Sequence, residues 1–156
     1  MKEFWNERYA KSEYAYGEAP NDWFKSQVDT MKPGKLLLPG DGEGRNGVYA
    51  ATLGWDVHAF DLSSAGRDKA LRLAKKHDVE IDYRVGELTE LQYEKESFDV
   101  IALVFTHFAP GLRNRYHQRL SQYLKAGVVM IIEGFRKEQF ERLTPGEKGG
   151  GPKNIE

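Results

Sequence analysis

The sequence predicts a doubly wound α/β domain, a parallel sheet with helices on both faces. Short runs rich in apolar and β-branched residues recur along the chain: KLLLP, DVHAFD, EIDYRV, FDVIALVF and AGVVMIIE. Strands buried on both faces read this way, without strict polar alternation. Segments of helical spacing lie between them, so strand and helix alternate as a parallel sheet requires. In such sheets ligands bind beyond the carboxyl ends of the strands, where the strand order reverses.

Each element has a local reason. PNDWFKSQVDTM carries Phe24, Val28 and Met31 at helical spacing, with Pro20 and Asn21 as a start signal. KPGKLLLPG reads as turn, buried strand, turn, and RNGVYAATLG as a helix closed by Gly54. DVHAFD is a strand, AGRDKALRLAKKH a helix, and EIDYRV and FDVIALVF are strands. In LRNRYHQRLSQYLK, Leu112, Tyr116, Leu120 and Leu124 fall four apart, which predicts one helix face. AGVVMIIE is the fifth and last strand, apolar on both faces and therefore expected inside a sheet.

The bulk numbers narrow the function. The 156 residues make one domain, 40% hydrophobic and 30% charged, with a formal charge of -1. That balance speaks against a general affinity for nucleic acid or anionic membrane. Arg113, Arg115, Arg119 and Lys125 form a basic run that reads as a solvated face. No cysteine means no disulfide framework and no thiolate nucleophile or metal ligand. His58, His77, His107 and His117 lack ligand spacing, so no metal is expected. The opening MKEFWNERYAKSEY is unlike a secretory signal, and VVMII is too short to span a bilayer. A cytoplasmic protein is the expectation.

Chemistry is concentrated in LLLPGDGEGRNG, where four glycines fall within eight residues directly after a strand. Gly40, Gly42 and Gly44 form G-x-G-x-G ahead of a helix, where free N–H groups favour a carboxylate or phosphate. A dinucleotide fingerprint wants its third glycine at position 45, which is Arg45. Asp61 ends the second strand about twenty residues after the first glycine, where a carboxylate can accept from both ribose hydroxyls or simply cap the next helix.

GDGEGRNGVYAA, VHAFDLS and FDVIALVFTHFAP resemble the class I S-adenosylmethionine-dependent methyltransferases, a Rossmann-like fold. Within them the chain is most similar to the small bacterial tellurite-resistance-type methyltransferases, through W-x-x-R-Y and Y-G-x-x-P-N near the start, LKAG before the last strand and GGGPK near the end. The resemblance implies S-adenosylmethionine as cofactor, S-adenosylhomocysteine as product and a small-molecule acceptor: an oxyanion, a thiol or another metabolite. The implied cradle comprises Gly40, Asp41, Gly42, Gly44, Arg45, Asn46, Asp61 and Leu62, with Gly86, Glu87 and Leu88 towards adenine. Glu87 either accepts from the adenine amino group or is a solvated loop charge. Phe105 and His107 fall beside the transferred methyl group; His107 either orients and deprotonates the acceptor or packs at a strand end. Among the N-terminal aromatics, Tyr9 and Tyr16 are expected near the cofactor as parts of a lid, and Trp5 in packing.

The chain departs from the family twice. Leu38 stands where an acidic residue commonly holds the cofactor's amino group. The family also continues into two further strands, so a single domain lacking its C-terminal strand pair is expected, with five parallel strands. An open edge would then invite a homodimer, and Gly149, Gly150 and Gly151 would give a closing loop its freedom. A non-catalytic cofactor-binding module and, more remotely, a nicotinamide-dependent oxidoreductase are the alternatives.

Overall fold

The structure is a computed structural model that describes residues 1–109 and 111–135. The five apolar runs become β1 (Lys35–Pro39), β2 (Asp56–Asp61), β3 (Asp82–Val85), β4 (Phe98–Val104) and β5 (Leu124–Glu133). All neighbours pair in parallel, in the order β3-β2-β1-β4-β5. The chain leaves β1 to one side for β2 and β3, then crosses over for β4 and β5. A crevice therefore opens beyond the carboxyl ends of β1 and β4.

Side chains alternate across the sheet and build a core on each face. Leu36 and Leu38 pack with Phe24, Val28, Val57 and Val100 on one side. Leu37 packs with Phe60, Phe98, Ile101, Tyr116 and Leu120 on the other. The helices covering these cores are α1 (Lys2–Tyr9), α2 (Asp22–Val28), α3 (Arg45–Thr52), α4 (Ser64–Lys76) and α5 (Arg113–Ser121). Two start at side-chain caps: Asn21 accepts from the Phe24 N–H at 2.9 Å, and Ser63 from the Gly66 N–H at 3.0 Å. None of the described helices is long and apolar enough to cross a membrane.

The expected helix face ending at Leu124 is shorter in the structure. α5 stops at Ser121, with Tyr116 and Leu120 buried, and Leu124 is already in β5 opposite Phe98. The carbonyl of Tyr123 accepts from the N–H groups of Ser97 and Phe98, which turns the chain into the sheet. Helical spacing is blind to such a tertiary hydrogen bond. β5, expected in the interior, is an edge of the described sheet, where Val129 and Ile132 are 51% and 55% exposed. The glycines at 149–151 lie outside the described residues.

One buried ion pair ties the N-terminal segment to the sheet. Lys69 of α4 and Glu43 of the glycine loop, 2% and 5% exposed, meet at 2.7 Å. The Lys69 ammonium also donates to the Glu13 carbonyl at 2.6 Å, and the second Glu43 oxygen accepts from the Ala15 N–H at 2.7 Å. Tyr14 donates to the Lys69 carbonyl at 3.1 Å and lies against the ammonium, 5.0 Å from its ring centre. With so many partners the charges are well compensated, and removing one leaves the other stranded. Lys69→Met should therefore cost about 3–5 kcal/mol in urea denaturation. Adding Glu43→Gln should recover part of that loss.

Candidate functional site

The crevice holds a cavity of 360 Å³. Its floor is the glycine loop. Gly40, Gly42 and Gly44 all have positive φ, at 68°, 57° and 83°. Gly42 is the most constrained: its N–H donates to Asp61 at 3.1 Å and its carbonyl accepts from the Tyr83 hydroxyl at 2.6 Å. A Cβ there would sit 2.6 Å from the Tyr9 hydroxyl. Both the N–H and the carbonyl of this residue are thus engaged, and only glycine fits.

Asp61, 9% exposed, closes β2 over this loop. One carboxylate oxygen accepts from Gly42 and the other from the Ser63 N–H at 2.9 Å. Burial raises its pKa, opposed by the N–H groups of Ser63 and Gly42. Each oxygen keeps a lone pair for a further donor. Tyr83 and Tyr9 are pushed well up by burial first and by Asp61 next, so both remain hydroxyl donors.

The N-terminal segment covers the loop from outside. Trp5 stacks on Tyr9 with ring centres 5.4 Å apart. The Asn46 side chain accepts from the Asn21 N–H at 2.9 Å, and Arg45 donates to the Tyr16 carbonyl at 3.2 Å. The Arg8 and Arg45 guanidiniums lie 4.9 and 5.8 Å from the Tyr16 ring centre.

The opposite wall follows β4. Thr106 donates to the Pro39 carbonyl at 2.7 Å, locking the ends of β1 and β4 together. Phe105 has φ +50°, and its N–H donates to the Glu133 carbonyl at 2.8 Å. Its ring meets Phe135 at 4.6 Å, and His107 lies parallel to Phe135 at 6.1 Å. Phe108 meets Tyr116 edge-on at 4.9 Å. Burial and then the Arg113 charge lower the His107 pKa, which keeps the imidazole neutral.

The structure gathers Tyr9, Tyr16, Gly40, Asp41, Gly42, Arg45, Asn46, Asp61, Leu62, Gly86, Glu87, Leu88, Phe105 and His107 around this cavity. Gly44 is not among the lining residues. It packs α3 on α4, where a Cβ would come within 2.4 Å of the Ala70 Cβ. Trp5, expected mostly in packing, also lines the cavity, as do Thr106, Phe108, Tyr116 and Phe135. Tyr83, Glu43 and Lys69 escape the sequence reading. The tyrosine sits in an ordinary strand and the lysine on a helix that reads as charged throughout.

Asp41 contributes to the lining but turns its carboxyl under the loop. One oxygen accepts from the Gly47 N–H at 3.1 Å, and the other is buried without a partner. Burial raises its pKa to about 8, helped by Asp61 and opposed by the Gly47 N–H and Arg45. The folded chain therefore holds a proton that an unfolded Asp releases near about pH 4. Stability is greatest below that value and falls as pH rises towards 8; Asp61 acts with the same sign. Asp41→Asn removes this penalty while keeping an acceptor for Gly47. Its melting temperature should exceed the parent's by a margin that widens from pH 5 to pH 8, by more than ~1 kcal/mol at the upper end.

Comparison with known proteins agrees with this geometry. No curated protein matches the chain at significant similarity. Among solved structures it is similar to a protein studied for the conversion of a disulfide bond into a thioacetal group during echinomycin biosynthesis: 22% identity, TM-score 0.71, over 85% of this chain and 60% of that one. It is similar to the PH0226 protein of Pyrococcus horikoshii: 21% identity, TM-score 0.64, over 78% and 58%. It is also similar to phosphoethanolamine N-methyltransferase 2 of Haemonchus contortus, solved with phosphomonomethylethanolamine and S-adenosylhomocysteine: 26% identity, TM-score 0.65, over 88% and 35%. The chain thus spans 60% or less of each of these structures. A family model described as a methyltransferase domain matches residues 37–127, more than half of the sequence and the whole of the loop, Asp61 and β4. The chain belongs to the S-adenosylmethionine-dependent methyltransferase domain family.

Proposed function

We propose that this chain binds S-adenosylmethionine in the crevice and transfers its methyl group to a small-molecule acceptor, leaving S-adenosylhomocysteine. The grip on Gly42 beside the Asp61 carboxylate carries this reading. The residues fit the cofactor. The loop from Gly40 to Gly42, which lines the cavity, suits its carboxylate, the free lone pairs of Asp61 suit two ribose hydroxyls, and Gly86 to Leu88 offer an edge for adenine. Leu38 is buried in the core and does not line the cavity, so the cofactor's amino group falls to the loop backbone and its neighbours. When bound, S-adenosylmethionine supplies a methyl group already activated for displacement.

The chain's own work is alignment, exclusion of water and movement of one proton. Tyr9, Trp5 and Tyr16 cover the cavity, and neutral His107 takes a proton from the acceptor. The W-x-x-R-Y and Y-G-x-x-P-N elements support a place beside the tellurite-resistance-type methyltransferases. A cytoplasmic protein without nucleic-acid partners accords with the charge of -1 and with a divided basic run. Lys125 pairs with Asp99 at 2.7 Å, and Arg119 donates to the Leu91 carbonyl at 3.0 Å.

Two variants separate binding from chemistry. Asp61→Ala should weaken S-adenosylhomocysteine binding by roughly 2–3 kcal/mol in calorimetry, with melts reporting any loss of folding. His107→Ala should leave that affinity unchanged and slow turnover by about 100-fold or more. Unchanged affinity in the first variant would remove Asp61 from the site; an unchanged rate in the second would make His107 a packing residue.

Among the described residues no strand pairs with the outer edge of β5, which supports a homodimer in which two copies pair through Val129 and Ile132. Light scattering should show a dimer that Val129→Lys converts to a monomer. A monomer at all concentrations in the parent chain would dismiss the pairing.

A further inference from the structure

We infer that Thr106 is a positioning residue for methyl transfer. It sets the gap between the loop that holds the cofactor and the wall that faces the cofactor's methyl group. The inference rests on the methyl-transfer reading above and requires no particular acceptor.

The sheet parts where the cavity opens. β1 pairs with β4 at Leu36–Val100 and Leu37–Ile101, and the paired register ends there. Beyond that point each half keeps its own outer partner. β1 continues against β2 as far as Pro39 opposite Phe60, and the Gly40 N–H donates to the Phe60 carbonyl at 2.7 Å. β4 continues against β5 as far as Val104 opposite Glu133, and the Phe105 N–H donates to the Glu133 carbonyl at 2.8 Å. These two ladders leave the width of the parting to other contacts.

Thr106 spans it. Its hydroxyl donates to the Pro39 carbonyl at 2.7 Å, and a Cβ on Gly40 would lie 2.8 Å from its methyl carbon. The hydroxyl sets the reach, and the methyl branch meets a residue that keeps no side chain in that space. Pro39 is buried, so the hydroxyl serves a carbonyl that needs a partner from the protein. Gly40 opens the cofactor loop, whereas Thr106 stands between Phe105 and His107, and all four line the cavity. One side chain thus joins the first residue of the loop to the middle of the opposite wall.

Displacement at a methyl carbon depends steeply on distance and line of approach, so a fixed gap is a demand of the chemistry. Threonine suits that demand. Branching at Cβ makes its χ1 stiff, and both branches are engaged here.

The test compares S-adenosylmethionine with S-adenosylhomocysteine by calorimetry on the intact chain, which needs no acceptor. The two differ by the methyl group, the part that faces the wall on this reading. Thr106→Val keeps the shape and removes the donor. It should hold S-adenosylhomocysteine within about two-fold of the parent and bind S-adenosylmethionine about five-fold or more weakly. One methylene-sized group in a fitted pocket is worth about ten-fold or more, so a loss of that size is within reach. Thr106→Ser keeps the donor and should retain the parent's ratio of affinities. An equal loss for both ligands in Thr106→Val would make the residue a support of the cradle and overturn the inference. So would an unchanged ratio in that variant, which leaves the cofactor site standing. A shifted ratio in Thr106→Ser would assign the effect to the methyl branch and overturn it too, even if Thr106→Val fails to fold. Absence of S-adenosylhomocysteine binding by the parent chain would remove the methyl-transfer reading itself, and the inference with it.

Discussion

Gly42 is gripped at both its N–H and its carbonyl, and much of the molecule is arranged around that grip. Asp61 at the end of β2 holds its N–H, and Tyr83 of β3 holds its carbonyl. Tyr9 of α1 fills the space a side chain would need, and a Cβ at Gly66 of α4 would lie 2.7 Å from the Gly42 oxygen. Four elements thus converge on one residue. Each contact is individually ordinary, at about 1 kcal/mol net for a neutral hydrogen bond. Together they fix the loop in a shape that its glycines alone would leave free.

The second organising contact is the Lys69–Glu43 pair. Isolated, a buried ion pair contributes little, because desolvation offsets attraction. Here the charges also hold backbone groups of Glu13 and Ala15, which carry no regular secondary structure of their own. The segment between α1 and α2 is therefore held over the cavity by polar contacts with the loop beneath it. The same loop that shapes the floor of the site anchors its cover.

The fold class and the glycine loop after β1 were legible because buried strands and glycine density are local signals. Asp61 was legible because it ends a strand at a fixed distance from the loop. What escaped was non-local. Leu124 continues a helical spacing perfectly well, and only the pairing with Phe98 assigns it to β5. Gly44 shares a pattern with Gly40 and Gly42, yet its neighbour is Ala70, across a helix interface. Asp41 sits among cofactor-facing residues, and its direction under the loop depends on the Gly47 N–H. Tyr83 and Lys69 carry no motif, since their roles arise from what the folded chain brings beside them.

Phe105 places two requirements on one residue. Its φ of +50° lies where a side chain is unfavourable, yet its ring forms part of the aromatic wall against Phe135. A glycine at 105 would relax the backbone and empty the wall, whereas any other L-residue keeps the strain without the same ring. Such positions hold conformational strain of order 1–3 kcal/mol that the surrounding structure must oppose. Selection for a sturdier chain and selection for a shaped pocket therefore pull in opposite directions at this residue. A screen for thermostability alone would tend to erode the site here first.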